Sequence, residues 1–398
     1  MSDTRPYALV LYGATGFTGG LTARYLSCHL PRDVRWAIAG RHRDGLEKIA
    51  AALEQRGHRP DLLIACSDDD TSLDAMAART RVLVSTVGPY VRHGEPLVRA
   101  CIGQGTHYCD LTGEPEFVNR LLLEHHAAAR DAGCAIVNSC GFDSIPYDVG
   151  VLFTINRLTQ AHGRPLDQPV TVEGALTASA EFSGGTWHSA LEAFARPGAN
   201  RDSLRRANEQ LRRDYPRQVA TVPFRARRDA DLGGWLAPLP TIDPMVVLRS
   251  ARALERYGPQ FRYGHYLASG NPLKLGLGAA AVGALIGAAQ VGPLRRWLLQ
   301  RRPAGEGPDA ATRARSWFQV RLRGRCGDSE VLCRVSGGDP GYDETACMLA
   351  ETAMALALDP GQPRDTGVIT PVMALRDQLL ERLINAGIRF EELHQTSG

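Results

Sequence analysis

The chain has 398 residues, 44% of them hydrophobic and 22% charged, and a formal net charge of +3. That length and balance provide for two or three domains with a sizeable core, exclude a disordered chain, and single out no charged partner. Nine cysteines occur without a CxxC pair or a Cys/His cluster at zinc spacing, so the expectation is reduced thiols in a cytoplasmic protein and no metal site. Met1–Pro6 runs straight into the first strand, with nothing resembling a signal peptide.

The apolar, β-favouring run Ala8–Leu11 ends at Gly13, Gly16 and Gly19, and a helix-compatible stretch, Leu21–Leu26, follows. Strand, glycine turn and helix in that order make a phosphate-binding corner. Gly13 allows the tight turn, Gly16 lets backbone approach a pyrophosphate, and Gly19 lets helix pack close on strand. Gly13, Ala14, Thr15, Gly16, Phe17, Thr18 and Gly19 are therefore candidate cofactor residues. The second strand, Val34–Ala39, ends in Gly40-Arg41-His42-Arg43, where an NAD-binding domain would usually place an acidic residue. Arg41 and Arg43 suit a 2′-phosphate, which favours NADP(H); the bland reading is a pair of solvated arginines at a helix start.

Helix is predicted over 46–53 and strand over 61–65, then helix over 73–78 and a fourth strand over 81–86. The turn Thr86-Val87-Gly88-Pro89-Tyr90 lies at a strand's C-terminal edge, where open α/β sheets bind ligands. It reads either as cofactor-lining or as a plain Gly-Pro turn. Helix over 95–103, strand over 107–111, helix over 117–132 and strand over 135–139 complete an alternation that argues for a parallel sheet covered on both faces. Polar residues crowd two strand ends, 108–114 and 140–148. On one sheet edge they would gather Tyr108, Asp110, Glu114, Asp143, Ser144 and Tyr147 around the nicotinamide end of the cleft. For Asp143 and Ser144, helix capping is the equally good reading.

From about Leu152 the pattern changes. Strand is predicted over 170–178, then a glycine pair and His188 before a helix from Ser189. The glycine pair reads as an anion site or a helix cap. His188 is a candidate proton donor, although a lone histidine more often packs structurally. Residues 201–228 hold nine arginines with no nucleic-acid module around them, so nucleic acid is not expected. They read as a solvated face or as attraction to an acidic carrier protein or anionic lipid. Leu275–Leu294 carries no charge, with Lys274 before it and Arg295 and Arg296 after it. Its length suffices for a membrane span, but its residues are mostly Ala and Gly. Peripheral membrane docking or a lipid-substrate wall ranks first, a buried helix next, a span last. A hairpin is expected at 317–325 and 331–336, with Phe318, Val320 and Leu322 on one face. Helices over 342–358 and 371–386 and a short strand over 388–391 end the chain.

Together GATGFTG (13–19), AGR (39–41), STVGPYVRHGEPLVRAC (85–101), YCDLTGE (108–114), CGFDSIPYD (140–148), SGGTWHS (183–189) and the stretch 366–390 resemble the saccharopine dehydrogenase-like oxidoreductases, in particular the trans-acting enoyl reductase branch. The resemblance covers nearly the whole chain. It implies an α/β fold: an NADP-binding Rossmann domain (1–150), a second α+β domain (151–339) and a C-terminal segment (340–398) packing back on the first. One departure stands out: Cys66 occupies the place after the third strand where the family usually has an acidic residue. The expected activity is NADPH-dependent reduction of the C=C bond of a lipid-like enoyl thioester, linked to CoA or an acyl carrier protein. Tyr108, Ser144, Tyr147 and His188 are the proton-donor candidates. The expected location is the cytoplasm, with peripheral contact at the inner face of the membrane. The alternatives are C–N oxidoreduction of the saccharopine dehydrogenase type, or a membrane-associated NADP-binding protein without turnover.

Overall fold

The computed structural model describes residues 5–55, 57–179, 197–223, 225–300 and 307–396. Strand β1 (Tyr7–Tyr12) sends Leu9 and Leu11 into one core cluster and Val10 and Tyr12 into another. A strand apolar on both faces needs cover on both. The chain supplies it by alternating α1 (Phe17–His29), β2 (Trp36–Gly40), α2 (Arg43–Glu54), β3 (Asp61–Ile64), α3 (Asp70–Ala77), β4 (Thr80–Ser85), α4 (Tyr90–Gln104), β5 (His107–Asp110), α5 (Pro115–Asp131) and β6 (Ala135–Val137). Apolar side chains of α1 and α2 fill one face, and those of α3, α4 and α5 the other. Strand order is β3-β2-β1-β4-β5-β6, all parallel, so the direction of winding reverses between β1 and β4. Ligands bind at such a switch point, outside the carboxyl ends of the strands.

Helix α6 (Ile145–His162) leaves the β6 end of this sheet and packs on a second one. That sheet is built from β7 (Val170–Ser179), β8 (Gln218–Thr221), β9 (Arg227–Asp229), β10 (Gly234–Pro238), β11 (Gln260–Ser269), β12 (Trp317–Cys326) and β13 (Ser329–Gly337). β7 pairs in parallel with β11, and β12–β13 is an antiparallel hairpin whose Phe318, Val320 and Leu322 are buried together. Between these strands lie α7 (Pro197–Asp214), which packs on α5, and α8 (Asp243–Ala253), followed after β11 by α9 (Pro272–Gln290), α10 (Gly292–Gln300) and α11 (Ala310–Arg315). The buried-helix reading of the apolar stretch is overturned: among the described side chains of α9 only Ala289 is buried.

The C-terminal segment divides between the two sheets. Helix α12 (Asp343–Leu358) is buried from Thr345 to Ala357 and packs on α1, β1, β4 and β5. β14 (Gly367–Ile369) then joins the first sheet as a seventh parallel strand, beside β6. The single helix expected over 371–386 is two, α13 (Pro371–Leu375) and α14 (Asp377–Asn385). The chain turns between them at Arg376, which has φ +52°. The new helix start is anchored because the Asp377 carboxylate accepts hydrogen bonds from Asn156 Nδ2 at 2.8 Å and Arg256 at 2.7 Å. The last strand, β15 (Arg389–Thr396), pairs antiparallel with β13. The end of the chain thus belongs to the second sheet, which corrects the expectation that all of 340–398 packs on the first domain.

Candidate active site

The corner after β1 is built around two glycines. Gly13 has φ +92°, a conformation that side chains disfavour, and a Cβ there would lie 2.7 Å from both Thr86 Oγ1 and Val87 Cγ2. At Gly19 a Cβ would lie 2.1 Å from the Gly13 carbonyl oxygen, so α1 rests directly on the turn. Thr86 locks the neighbouring loop to it: its backbone N–H donates to Tyr12 O at 3.0 Å and its hydroxyl to Gly13 O at 3.1 Å. Residue Gly16 sits at the N-cap of α1 with no side-chain cap, so the first turn presents unsatisfied N–H groups beside the exposed Thr15 and Gly16. That is the arrangement a pyrophosphate needs.

The other predicted cofactor residues divide. Ala14 is buried, Phe17 packs edge-on against Tyr342 with centroids 4.9 Å apart, and Thr18 accepts the Thr22 hydroxyl through its carbonyl. Val87 and Pro89 are partly exposed and Gly88 exposed, but Tyr90 is sealed, its hydroxyl donating to Ser85 O at 3.0 Å. Exposed Arg41 has no hydrogen-bond or ion-pair partner among the described residues, whereas Arg43 pairs with Glu47 at 3.6 Å. Arg41, Cys66 and Asp68 all lie within electrostatic reach of the Tyr12 hydroxyl, which is hydrogen-bonded with Ser67 Oγ at 2.9 Å. Side by side, an uncapped helix start and an unengaged guanidinium fit the pyrophosphate and 2′-phosphate of NADP(H).

The polar strand end at 108–114 turns out to be an internal brace. Asp110 is fully buried, and its carboxylate accepts from Tyr108 OH at 3.0 Å, Asn138 Nδ2 at 2.8 Å, Ser139 N at 3.0 Å and Thr112 N at 3.1 Å. Burial pushes its carboxyl up to about 6 against the pull of those donors. The Glu114 carboxylate likewise accepts from the Tyr90 and Val91 amides at 3.0 and 2.8 Å, capping α4. Tyr108, expected as a proton donor, is therefore sealed and committed to Asp110. Ser144, also expected, is sealed, donating to Asp143 O at 2.7 Å. Although it occupies the N-cap of α6, its side chain makes no cap bond. His188 lies outside the described residues.

Tyr147 is buried as well, but its hydroxyl is not committed to a described neighbour. Its ring packs edge-on against His265, centroids 4.7 Å apart, and no described residue hydrogen-bonds its hydroxyl. Burial, then the Asp243, Tyr263 and Asp143 groups, raise its pKa well above that of an ordinary phenol. His265 Nε2 lies 3.3 Å from Asp243 Oδ2 and 3.0 Å from Thr241 Oγ1, and Thr241 donates to Asp243 in turn. His265 Nδ1 meets Tyr263 OH at 3.2 Å. Asp143 completes the group. It is exposed and stands beside Gly113, whose added Cβ would lie 2.7 Å from Asp143 Oδ2. Desolvation, then the nearby Asp243 carboxylate, push the Asp143 carboxyl up to about 7. A carboxyl that holds its proton above the usual carboxylate range, near a tyrosine at the carboxyl edge of a dinucleotide fold, can deliver a proton. Sequence reasoning missed Asp243, Tyr263 and His265. The available signal was the i, i+2 spacing of Tyr263 and His265, which puts both on one face of a strand.

Comparison with known proteins agrees with the fold and with the cofactor. Residues 9–137 match the family model of the saccharopine dehydrogenase NADP binding domain. A Mycobacterium tuberculosis protein named as a trans-acting enoyl reductase is 35% identical over 412 residues, covering 97% of each chain. The trans-acting enoyl reductase of Mycobacterium leprae is 33% identical over 411 residues, again covering 97% of each. Among solved structures, apo saccharopine dehydrogenase (L-Glu forming) from Saccharomyces cerevisiae superposes with a TM-score of 0.56 at 14% identity, covering 98% of this chain and 99% of that one, a likeness of fold alone. The chain is an NADP(H)-binding oxidoreductase of the saccharopine dehydrogenase-like family, in its trans-acting enoyl reductase branch.

Proposed function

We propose that this protein uses NADPH to reduce the C=C bond of a lipid-like enoyl thioester carried on CoA or an acyl carrier protein. The observation that carries the reading is the placement of Asp143 near Tyr147 at the carboxyl edge of the NADP-binding sheet, with the Asp143 carboxyl shifted upward. The relatives' names supply the substrate class. In this scheme the 13–19 turn and the α1 N-terminus hold the pyrophosphate, and Arg41 takes the 2′-phosphate. NADPH, when bound, supplies hydride for the β-carbon. Asp143 gives its proton to the α-carbon, Tyr147 donates a hydrogen bond to the developing enolate oxygen, and the His265–Asp243 pair fixes the Tyr147 ring from behind.

The experiment is NADPH consumption by purified protein with long-chain enoyl-CoA and enoyl-carrier substrates across neutral pH. Because Asp143 must enter protonated, turnover should fall as pH rises through about 7. Asp143→Asn should cut turnover roughly 10²- to 10⁴-fold and abolish that descending limb. NADPH binding without turnover of any enoyl thioester would overturn the reading. A C–N reaction on amino and keto acids has less support, because several arginines of 201–228 are otherwise engaged. Arg205 pairs with Glu209 at 3.1 Å, Arg217 donates to the Gly258 carbonyl at 2.6 Å, and Arg227 pairs with Glu173 at 2.7 Å.

A further inference from the structure

Helix α9 is an anomaly in a water-soluble fold. Over 272–290 its one charge is Lys274, yet Leu273 is 70% exposed, Leu277 is 64% exposed, and Ala289 is the only buried side chain among those described. The next helix, α10, continues the theme with exposed Leu294 and Trp297 flanking Arg295 and Arg296, and no acidic residue occurs anywhere from Pro272 to Gln300. Exposed apolar surface on this scale marks a site for a partner.

Tryptophan placement indicates what that partner is. Trp235 on β10 stands opposite Ser269, the residue that ends β11 just before the Asn271 cap of α9. Trp317 on β12 stands opposite Ser179 at the end of β7, and β7 runs parallel to β11 with Leu176 level with Leu267. Both rings are therefore at the end of the second sheet from which α9 emerges. With Trp297 they make three tryptophans 39%, 44% and 48% exposed, whereas Trp36 is buried in the first domain. Exposed indole rings beside an apolar helical segment that carries basic and no acidic residues from Pro272 to Gln300 are the composition that settles at a lipid headgroup layer.

Topology decides between spanning and lying flat. β11 and β12 both belong to the second sheet, one on each side of β7, so any membrane crossing between them must be repeated in reverse. Among the described residues α9 is the one helix long and apolar enough to cross. A single crossing would tear the sheet.

We propose that α9 and α10, with Trp235 and Trp317 at their base, dock the protein on the surface of a bilayer rich in anionic phospholipid. The proposal is independent of the reaction assigned above, since docking is read without substrate. Full-length protein is sedimented with phosphatidylcholine vesicles and with vesicles containing phosphatidylglycerol. Binding is expected to the anionic vesicles, with a blue shift of tryptophan emission and marked weakening in high salt. Arg295→Glu/Arg296→Glu and Leu277→Lys should each weaken it at least tenfold while NADPH affinity, the control for folding, stays unchanged. No anionic vesicle binding, or binding indifferent to both variants, overturns the proposal. So does a concentration-dependent dimer that Leu277→Lys abolishes while wild-type protein ignores vesicles, because a second copy would then be what covers the helix.

Discussion

Two adjacent glycines at the start of α1 give a sharp test of the cofactor corner. A methyl group at Gly19 would sit 2.1 Å from the Gly13 carbonyl oxygen, 2.9 Å from its carbon and 2.8 Å from Thr86 Oγ1. None of these can swing away: two are backbone, and the Thr86 hydroxyl is held by its bond to Gly13. Restoring van der Waals contact requires α1 to retreat by about 1 Å, which carries its unsatisfied N–H groups away from the phosphates. Overpacking of this kind costs about 1–3 kcal/mol. Expressed in cofactor binding, that is a loss of roughly 5- to 150-fold. At Gly20 the same methyl meets only Ala14 O at 3.7 Å, an ordinary contact, and should stabilise the helix by about 0.5–1 kcal/mol. NADPH titration by fluorescence and urea unfolding of Gly19→Ala and Gly20→Ala read both effects. If Gly19→Ala binds NADPH as tightly as Gly20→Ala, the close approach of helix to turn is not what holds the cofactor.

Arg41→Ala should weaken NADPH by about 10- to 100-fold, the worth of a charge-assisted hydrogen bond or two, and leave NADH nearly untouched; the ratio of the two dissociation constants checks it. Asp148, buried in α6 and accepting from Val372 N at 3.1 Å, has its carboxyl pushed up to about 7 by burial. It therefore binds its proton more tightly folded than unfolded, and its ionisation costs stability as pH climbs from about 4 to about 7. Asp148→Asn keeps an oxygen for Val372, so its stability relative to wild type should rise over that same interval in urea unfolding. Tyr147→Phe should lower turnover without changing NADPH affinity, whereas Tyr108→Phe, which strips a donor from buried Asp110, should lower stability by about 1–3 kcal/mol and leave the turnover of folded enzyme close to wild type.

The Rossmann half was legible because its signals are local. An apolar run, three glycines and a helix in sequence already contain the corner, and Arg41 is adjacent to its strand. Strand ends were harder to read. Tyr-Cys-Asp at 108–110 looks like a cleft wall, but residues 108 and 110 share a face of β5, and that face turns inward, so the carboxylate becomes a brace between β5 and β6. Composition does not tell an inward polar residue from an outward one. Asp143 and Tyr147 share the legible 140–148 strand end, but Asp243 and His265 join them from α8 and β11, far along the chain, and no spacing rule links those two to the first pair. The split of the last helix at Arg376 also escaped, since the partners that hold the new start at Asp377, Asn156 and Arg256, lie far off in the chain.

The seventh strand of the first sheet has a bearing on how the protein is made. β14 is residues 367–369, while its neighbour β6 is residues 135–137. During synthesis the edge of β6 emerges and then waits roughly tens of seconds for its partner, at ordinary elongation rates. For that interval the nascent first domain carries an open parallel edge, the feature that invites pairing with another chain. Its broad apolar face, later covered by α12, is bare as well. A gene fragment ending near residue 150 should therefore yield aggregating protein, while the full chain seals both surfaces with its own last sixty residues or so.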